Sequence, residues 1–317
     1  MERKLIIGTR GSKLALAQSE MVADSLRKAH PGLEVELQII STVGDRTQAS
    51  GIALSAVGDK GLFIKELEVA LLEKQVDLAV HSCKDLPSVT ADGLSLAAFP
   101  AREQPWDALV LPANAPAPAQ REVDQQLSVL PPNAHVGTSS LRRTSQLLAL
   151  RPDLRISDLR GNIDTRLRKL DEGQYDAIIL ASAGLLRIGL EARISQYFPA
   201  DLMVPAVSQG ILAIECRADD SETLALLSVL DDPQSRKAAL AERAFLRRLE
   251  GGCQVPMGAN AQLQADGSLQ IKGMVGSRDG RTIIKGVRNS AGDPEALGVA
   301  LAEELLAQGA AALIEAL

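Results

Sequence analysis

The sequence predicts an α/β protein of two or three domains, and three observations carry this prediction. Short apolar runs alternate with longer amphipathic segments along most of the chain, which is typical of parallel sheets covered by helices. The last quarter of the chain alternates with period two, which indicates an antiparallel sheet. At 317 residues, 46% of them hydrophobic and 23% charged, the chain is long enough for domains of roughly 100–150 residues.

The first α/β segment opens with a buried strand at residues 4–8. A turn then leads into an amphipathic helix, whose N-terminus Ser12 can cap. Residues 43–61 are rich in Gly, Asp and Ser and have no sustained period, so they predict a long binding loop or lid. The other elements predicted here are a strand at 35–41, a helix near 63–71 and a strand at 76–80.

A second α/β segment and a C-terminal tail follow. Residues 112–132 are rich in Ala, Pro and Gln and predict a surface excursion. Beyond them the pattern predicts strands at 135–137, 155–159 and 177–181 and helices at 141–150 and 163–170. An apolar stretch at 210–214 and a long helix at 234–249 come next, and the tail predicts strands at 261–265, 269–275 and 282–287 and a last helix at 294–306.

Composition argues against several classes of protein. A net charge of −6 disfavours a generally basic nucleic-acid binder, and 2% aromatic residues leave little for base stacking. We find no apolar run near the ~18–20 residues of a membrane helix and no signal peptide before the first strand. The three cysteines lie far apart and the histidines lack metal-ligand spacing, so we expect no disulfide, no metal site and a cytoplasmic location.

Positive charge is concentrated between Thr138 and Leu170. This segment has eight basic and three acidic residues, a net +5, while the rest of the chain has 26 basic and 37 acidic residues, a net −11. The pattern fits either an anionic ligand or a solvated helix face. Residues 138–140, 160–162 and 10–12 each lie between a strand and a helix, where backbone N–H groups and arginine favour anions, so we expect one cleft that holds one polyanion.

His81-Ser82-Cys83-Lys84-Asp85 follows a predicted strand, at the edge where open α/β sheets bind ligands. Asp85 fits either an ordinary turn aspartate or a carboxylate that stabilises a cation or transfers a proton. For His81 we expect a structural role in the core.

Cys253 lies in the segment Gly251-Gly252-Cys253-Gln254-Val255-Pro256, a flexible and exposed turn by composition. A small buried thiol is the commonest fate of a free cysteine, whereas an accessible turn favours a covalent role. Spacing alone leaves both readings open.

Six segments together resemble the porphobilinogen deaminase family, also called the hydroxymethylbilane synthase family, from end to end. They are GTRGSKLAL at 8–16, GDKGLFIKELEVALL at 58–72, VHSCKDLP at 80–87, GTSSLRR at 137–143, LRGNIDTRL at 159–167 and EGGCQVP at 250–256. The resemblance implies a transferase of tetrapyrrole biosynthesis that joins four porphobilinogen molecules head to tail and releases ammonia at each step. It also implies a dipyrromethane cofactor, bound to Cys253 by a thioether, on which the linear hydroxymethylbilane grows.

The resemblance further implies a role for each matching residue. Asp85 matches the catalytic aspartate. Cofactor binding is implied, besides Cys253, for Ser82, Lys84, Ser139, Arg142, Arg143, Arg160, Arg166, Gly184 and Arg187. Substrate binding is implied for Arg10, Ser12, Lys60, Arg160, Arg166 and Gln209.

The fold that the resemblance implies has three domains: two periplasmic-binding-protein-like lobes that flank a cleft, and a smaller α+β C-terminal domain with the cofactor cysteine. We expect domain 1 at 1–104 and 205–228, domain 2 at 105–204 and domain 3 at 229–317. A monomer is expected, with porphobilinogen as its substrate and no nucleic acid, membrane or metal as a partner.

The sequence departs from the family pattern in one loop, and two other functions compete with the one that the resemblance implies. Family members usually have a lysine two residues before the glycine that matches Gly58, and here that residue is Ala56, so Lys60 is the lysine left in this loop. A non-catalytic anion-binding protein on the same scaffold is a rival reading, although Cys253 and Asp85 argue against it. A transferase for a phosphorylated substrate is a weaker rival, because the sequence contains neither a P-loop nor a Rossmann glycine motif.

Overall fold

The computed structural model describes residues 4–41, 64–115, 127–249 and 255–315. The chain divides into two compact units, each of which is formed by two separate stretches of sequence. Unit 1 comprises Met1–Arg102 and Ile211–Arg236, and unit 2 comprises Glu103–Gly210 and Lys237–Leu317.

The strands of the described residues form three sheets. They are β1 (Lys4–Thr9), β2 (Glu34–Ile39), β3 (Leu78–Ser82), β4 (Leu94–Ala98), β5 (Asp107–Val110), β6 (His135–Gly137), β7 (Arg155–Ser157), β8 (Ala177–Ala181), β9 (Gln196–Phe198), β10 (Leu212–Arg217), β11 (Met257–Leu263), β12 (Leu269–Gly276) and β13 (Ile283–Ser290).

Helices connect and cover these sheets. They are α1 (Lys13–Ala29), α2 (Lys65–Leu72), α3 (Leu141–Leu150), α4 (Ile163–Asp171), α5 (Ser182–Arg187), α6 (Ser221–Leu227), α7 (Pro233–Leu249), α8 (Pro294–Leu305) and α9 (Ala311–Glu315), with short 3-10 turns at Cys83–Asp85, Glu191–Arg193 and Ser228–Leu230.

Unit 1 contains a five-stranded sheet in the order β2-β1-β3-β10-β4. β1 pairs in parallel with β2 and β3, while β10 lies antiparallel between β3 and β4. The helices cover the sheet because their apolar stripes pack on it. Leu26 of α1 joins the core that contains Leu5 and Ile214, and Leu71 of α2 joins a second cluster with Ala79.

Unit 2 contains a sheet with the equivalent topology, in the order β7-β6-β8-β5-β9. β6 is parallel to β7 and β8, and β5 is antiparallel to β8 and β9. In both sheets the antiparallel strand begins just after the chain has crossed from the other unit. This shared topology confirms the expected α/β class with two sheet-based lobes.

The C-terminal part of unit 2 is a smaller α+β structure, as expected. Its antiparallel sheet has the order β11-β12-β13, and α8 packs on it. A Cβ at Gly273 would lie 2.9 Å from side-chain atoms of both Leu301 and Phe245, so the missing side chain lets helix and sheet approach closely.

A buried carboxylate in α7 connects two other parts of unit 2. Glu242 is 0% exposed. One of its oxygens accepts a hydrogen bond from the backbone N–H of Ser208 at 2.5 Å, and the other accepts from the N–H of Ala261 in β11 at 2.7 Å. The residues before Gly210 and the first strand of the small sheet are therefore bonded to one side chain.

The helical stretch Pro294–Glu315 is the one helix among the described residues that is long and apolar enough to cross a membrane, by length and composition alone. It is interrupted at Gly309, whose φ of 105° is not helical. Leu301 and Leu305 within it are fully buried, as in the core helix of a globular domain.

Most predicted elements are present, several with shifted ends. The strand predicted at 76–80 is β3, which begins at Leu78 because the N–H groups of Gln75 and Val76 still bond to the Ala70 carbonyl at the end of α2. Ser12 caps α1 as predicted, accepting from the Ala15 N–H at 3.3 Å. The sequence missed β4, β5 and β9, the predicted loop 43–61 lies outside the described residues, and only the ends of 112–132 lie within them.

Candidate active site

In unit 2, the elements with the predicted anion-binding residues begin at one edge of the sheet. β6, β7 and β8 are parallel neighbours, so their carboxyl ends lie on the same side. α3 follows β6, α4 follows β7 and α5 follows β8. The turns and helices that start at this edge contain Ser139, Arg142, Arg143, Arg160, Arg166, Gly184 and Arg187.

Polar side chains fix the two turns that precede α3 and α4. The Ser139 hydroxyl accepts from the N–H of Leu159 and donates to its carbonyl, both at 3.0 Å. Ser140 and Asn162 cap the two helices by accepting hydrogen bonds from backbone N–H groups. The positive ends of both helix dipoles therefore lie at this edge, where they favour an anion.

A buried carboxylate holds both arginines at the start of α3. Asp107, the first residue of β5, is 0% exposed. It accepts from Arg142 Nη1 at 2.7 Å and from Arg143 Nη2 and Nε at 2.7 and 2.9 Å. Gln209 Nε2 donates to it at 3.0 Å. Arg142 and Arg143 are thus buried members of an ion-pair cluster and do not lie on a solvated helix face.

The charges of this cluster control its ionisation. Burial by itself would raise the pKa of Asp107, because the carboxylate loses its hydration. The charges of Arg142 and Arg143 outweigh burial and hold the pKa of Asp107 well below its usual range. Burial also lowers the pKa of Arg142, and Asp107 opposes that change. The Asp107 carboxylate is therefore charged at neutral pH.

Three arginines of unit 2 each have a buried nitrogen without a hydrogen-bond partner among the described residues: Arg142 Nε, Arg160 Nη1 and Arg187 Nε. Arg160 donates Nη2 to Asp158 at 3.1 Å, and Arg187 donates Nη2 to the Gly210 carbonyl at 2.7 Å. Burial lowers the pKa of Arg187 to about 10. A buried donor without an acceptor costs about 1–3 kcal/mol, so these nitrogens favour a ligand rich in carboxylates or phosphates.

Two further predicted residues of unit 2 lie in α4 and α5. Arg166 in α4 donates Nε to the Gly161 carbonyl at 2.7 Å. Gly184 is buried in α5. Arg166 is half-buried and starts one turn into its helix, within the basic segment that the sequence singled out.

In unit 1, the predicted residues follow β1 and β3, which are parallel neighbours. Arg10 comes directly after β1 and is half-buried, and Ser12 is the cap of α1. Ser82 ends β3 and accepts from Gln18 Nε2 at 3.1 Å. The carboxyl ends of the two strands therefore place these residues at one edge of the unit 1 sheet.

Asp85 lies at the end of the 3-10 turn Cys83–Asp85, immediately after β3. Its side chain is exposed, whereas Lys84 is half-buried. The N–H of Cys83 donates to the Ile211 carbonyl at 2.9 Å, which fixes the turn to the strand pair below it. The carboxylate is thus held on an ordered turn and faces solvent.

His81 is a structural residue of the core, as expected. Its Nε2 lies 3.1 Å from Glu215 Oε2, and both side chains are buried between β3 and β10. Within the described part of the chain, no group of three or more His, Cys, Asp or Glu side chains is arranged to hold a metal ion.

Cys253 and Lys60 lie outside the described residues. The chain is described up to Leu249 at the end of α7 and again from Val255, which is buried together with Pro256. The sequence also missed Asp107, because no motif contains it and its partners are 35 and 36 residues away.

Comparison with known proteins adds independent information. Residues 5–225 match the family model "Porphobilinogen deaminase, dipyromethane cofactor binding domain", and residues 237–307 match the C-terminal domain of the same family. The chain is 55% identical over 314 residues to the porphobilinogen deaminase of Roseiflexus sp. (strain RS-1), covering 99% of both chains. It is 52% identical over 304 residues to that of Brevibacillus brevis, covering 96% of this chain and 94% of the relative.

The chain belongs to the porphobilinogen deaminase family. It is therefore a transferase of tetrapyrrole biosynthesis with a dipyrromethane cofactor, as the resemblance implied. The residues present fit this group, because a dipyrromethane with acetate and propionate side chains offers carboxylates to the three guanidinium nitrogens of unit 2 that find no partner in the described part of the chain.

Proposed function

We propose that this chain joins four porphobilinogen molecules head to tail into hydroxymethylbilane, on a dipyrromethane that Cys253 holds through a thioether. The observation that supports this most is the set of buried guanidinium nitrogens of Arg142, Arg160 and Arg187, which have no hydrogen-bond partner among the described residues of a chain of this family. Porphobilinogen has two carboxylates and each added unit brings two more, so the reaction needs an unusual number of arginines.

The cofactor, when bound, supplies the primer from which the pyrrole chain extends. We assign its carboxylates to Arg142, Arg143, Arg160, Arg166 and Arg187, with Ser82, Lys84, Ser139 and Gly184 as further contacts. For the incoming substrate we assign Arg10, Ser12, Lys60 and Gln209, together with Arg160 and Arg166. Fixed guanidinium groups orient carboxylates bidentately, which aligns the reacting carbon atoms without contacting them.

Asp85 is the residue to which we assign the chemistry. Loss of ammonia from porphobilinogen leaves a cation delocalised over the pyrrole, and a carboxylate close to the pyrrole nitrogen stabilises this charge. The same carboxylate can accept the proton that the reaction releases. The hydrogen-bonded turn after β3 supports this assignment, because it fixes the backbone that carries Asp85.

The remaining assignments concern organisation. We propose a cytoplasmic monomer with domains at 1–104 and 205–228, 105–204 and 229–317. No nucleic acid, membrane or metal takes part in this reaction.

The experiment that tests the proposed function is intact-mass spectrometry of the denatured protein, with ammonia release from porphobilinogen measured on the same preparation. We expect the mass to exceed that of the sequence by two porphobilinogen-derived pyrrole units, because a thioether survives unfolding. Cys253→Ser should lack both the added mass and the activity, since a hydroxyl is a far weaker nucleophile.

Cys83→Ser is the matched control. Cys83 is 1% exposed, so its replacement should leave the adduct in place. A simple anion-binding protein predicts a different result, with the unmodified mass and no ammonia. An adduct that peptide mapping places on another residue would also refute the role of Cys253.

A further inference from the structure

Asp107 occupies an unusual place in unit 2, since it bonds at once to two adjacent residues of the anion-binding edge. It starts β5, which is a strand of the sheet interior, and it is fully buried. Neither the sequence motifs nor the proposed mechanism gives it a role. Its contacts show that Arg142 and Arg143 differ in how many of their guanidinium nitrogens have acceptors.

Arg143 is committed to the fold. Nε and Nη2 donate to Asp107 Oδ1, and Nη1 donates to the carbonyl of Ile179 in β8 at 2.9 Å. All three nitrogens of its guanidinium group therefore have acceptors within unit 2.

Arg142 has acceptors within unit 2 for its Nη1 nitrogen but not for Nε among the described residues. Its Nη1 donates to Asp107 Oδ2 at 2.7 Å and to the Val204 carbonyl at 2.8 Å. Its Nε is buried and has no partner in the described part of the chain. Arg142 Nε thus lacks an acceptor that the described residues could supply.

The aliphatic part of Arg142 is also held in place. A Cβ at Gly258, the second residue of β11, would lie 2.9 Å from Arg142 Cδ and 3.0 Å from the Val204 carbonyl oxygen. Any larger residue there would displace the arginine or the backbone that it bonds to. The strand that begins four residues after Cys253 therefore packs directly on this side chain.

The charges of the cluster do not cancel. Among the described residues, one carboxylate faces two guanidinium groups, and Asp107 and Arg143 are the charged groups that act on Arg142. One positive charge is left over at a site that is almost completely buried, since Arg142 is 5% exposed. An unbalanced buried charge is costly until an opposite charge joins it.

We propose that Asp107 is a positioning residue of the porphobilinogen-polymerising site. Asp107 fixes Arg143 in the fold, and it holds Arg142 so that Nε and one surplus positive charge can pair with a carboxylate of the bound pyrrole chain. This inference rests on the proposed function for the identity of the ligand. It predicts that loss of the Asp107 carboxylate weakens the binding of pyrrole carboxylates although Asp107 itself does not touch them.

Asp107→Asn is the test, with Glu242→Gln as the matched control. Both substitutions neutralise a fully buried carboxylate of unit 2 that bonds within the fold, but Asp107 accepts from Arg142 and Arg143, whereas Glu242 accepts from the backbone N–H groups of Ser208 and Ala261. The fraction of protein that carries the covalent adduct, the unfolding temperature, and KM and kcat for porphobilinogen are measured on each purified variant.

We expect both variants to unfold at a lower temperature. Asp107→Asn should in addition lose most of the adduct or, where the adduct forms, raise KM at least about tenfold. Glu242→Gln should keep the adduct and change KM less than about twofold. Equal KM values and adduct fractions in the two variants would overturn the proposal.

Two further measurements keep the result decisive. If Asp107→Asn does not fold, Arg142→Lys replaces it, because lysine keeps the charge and can still reach Asp107 but lacks the Nε edge. It should unfold near the wild-type temperature and raise KM about tenfold, and a wild-type KM would overturn the proposal.

If the wild-type protein releases no ammonia and carries no adduct, the proposed function fails, and mellitate then serves as a polycarboxylate probe of the same site. Mellitate should raise the unfolding temperature of the wild-type protein and not that of Asp107→Asn. Absence of this stabilisation in the wild-type protein would overturn the inference as well.

Discussion

Glu242 offers a direct test of how much a single buried carboxylate contributes to unit 2. Both of its oxygens accept backbone hydrogen bonds, from Ser208 at 2.5 Å and from Ala261 at 2.7 Å. Glu242→Gln keeps the shape of the side chain, but its amide nitrogen then faces one of these N–H donors. One charge-assisted bond becomes a neutral bond and the other is lost.

The size of the effect follows from these two changes. A hydrogen bond to a charged group contributes about 1.5–3 kcal/mol, and a buried donor left without an acceptor costs about 1–3 kcal/mol. We therefore expect Glu242→Gln to lower the free energy of unfolding by about 2–4 kcal/mol. At roughly 2 °C per kcal/mol for a chain of this size, Tm should fall by about 4–8 °C.

Thermal unfolding followed by circular dichroism measures this change, and Glu303→Gln is the control. Glu303 in α8 forms an ion pair with Arg248 at 2.5 Å, with the two side chains 52% and 41% exposed. An exposed pair contributes about 1 kcal/mol or less, so its loss should lower Tm by no more than about 2 °C. If the two variants have the same Tm, the two backbone bonds of Glu242 contribute no more to the free energy of unfolding than an exposed ion pair does.

Three other predictions concern the site. Asp85→Asn should lower kcat by a factor on the order of 10²–10³, because removal of a preorganised charge costs about 3–4 kcal/mol in the transition state. Tm should stay unchanged, because the side chain is exposed. A kcat above about a tenth of the wild-type value would show that Asp85 does not take part in the chemistry. Arg160→Leu should raise KM for porphobilinogen, and added salt should raise the KM of the wild-type protein, so a KM that changes with neither would contradict the carboxylate assignment. Burial raises the pKa of Cys216 to about 11, so iodoacetamide at pH 8 should leave Cys216 and the buried Cys83 unlabelled until the protein is unfolded. If peptide mapping finds either cysteine labelled in the folded protein, the structure opens locally at that residue.

Local sequence patterns predicted the elements that depend on local interactions. The helix at 141–150 was predicted with the ends that α3 has, and the caps Ser12 and Asn162 act within three residues of their own position. β5 was missed because it is only four residues long and starts with an aspartate, which ordinarily indicates a turn. Burial of Asp107 depends on arginines more than 30 residues away, and no local pattern records that pairing.

The candidate site was predicted with the same division. Basic residues between strand and helix indicated an anion site, and the parallel neighbours β6, β7 and β8 bring them to one edge of the sheet. The sequence did not show that Arg142 and Arg143 are buried beside one carboxylate. Backbone carbonyl groups, such as those of Val204 and Ile179, decide which guanidinium nitrogens have an acceptor within the fold. Every residue has a carbonyl group, so the amino-acid composition does not record these contacts.

The position of β10 in the unit 1 sheet has a consequence for synthesis on the ribosome. Among the described strands β4 pairs only with β10, and β10 is not made until the whole five-stranded sheet of unit 2 has been translated. The nascent chain can therefore complete the lobe with Arg142 while β4 still lacks its hydrogen-bonding neighbour, although Asp85 was made first. A chain truncated between residues 198 and 212 and released from the ribosome should contain a protease-resistant second sheet and an unfinished, more easily cleaved first one.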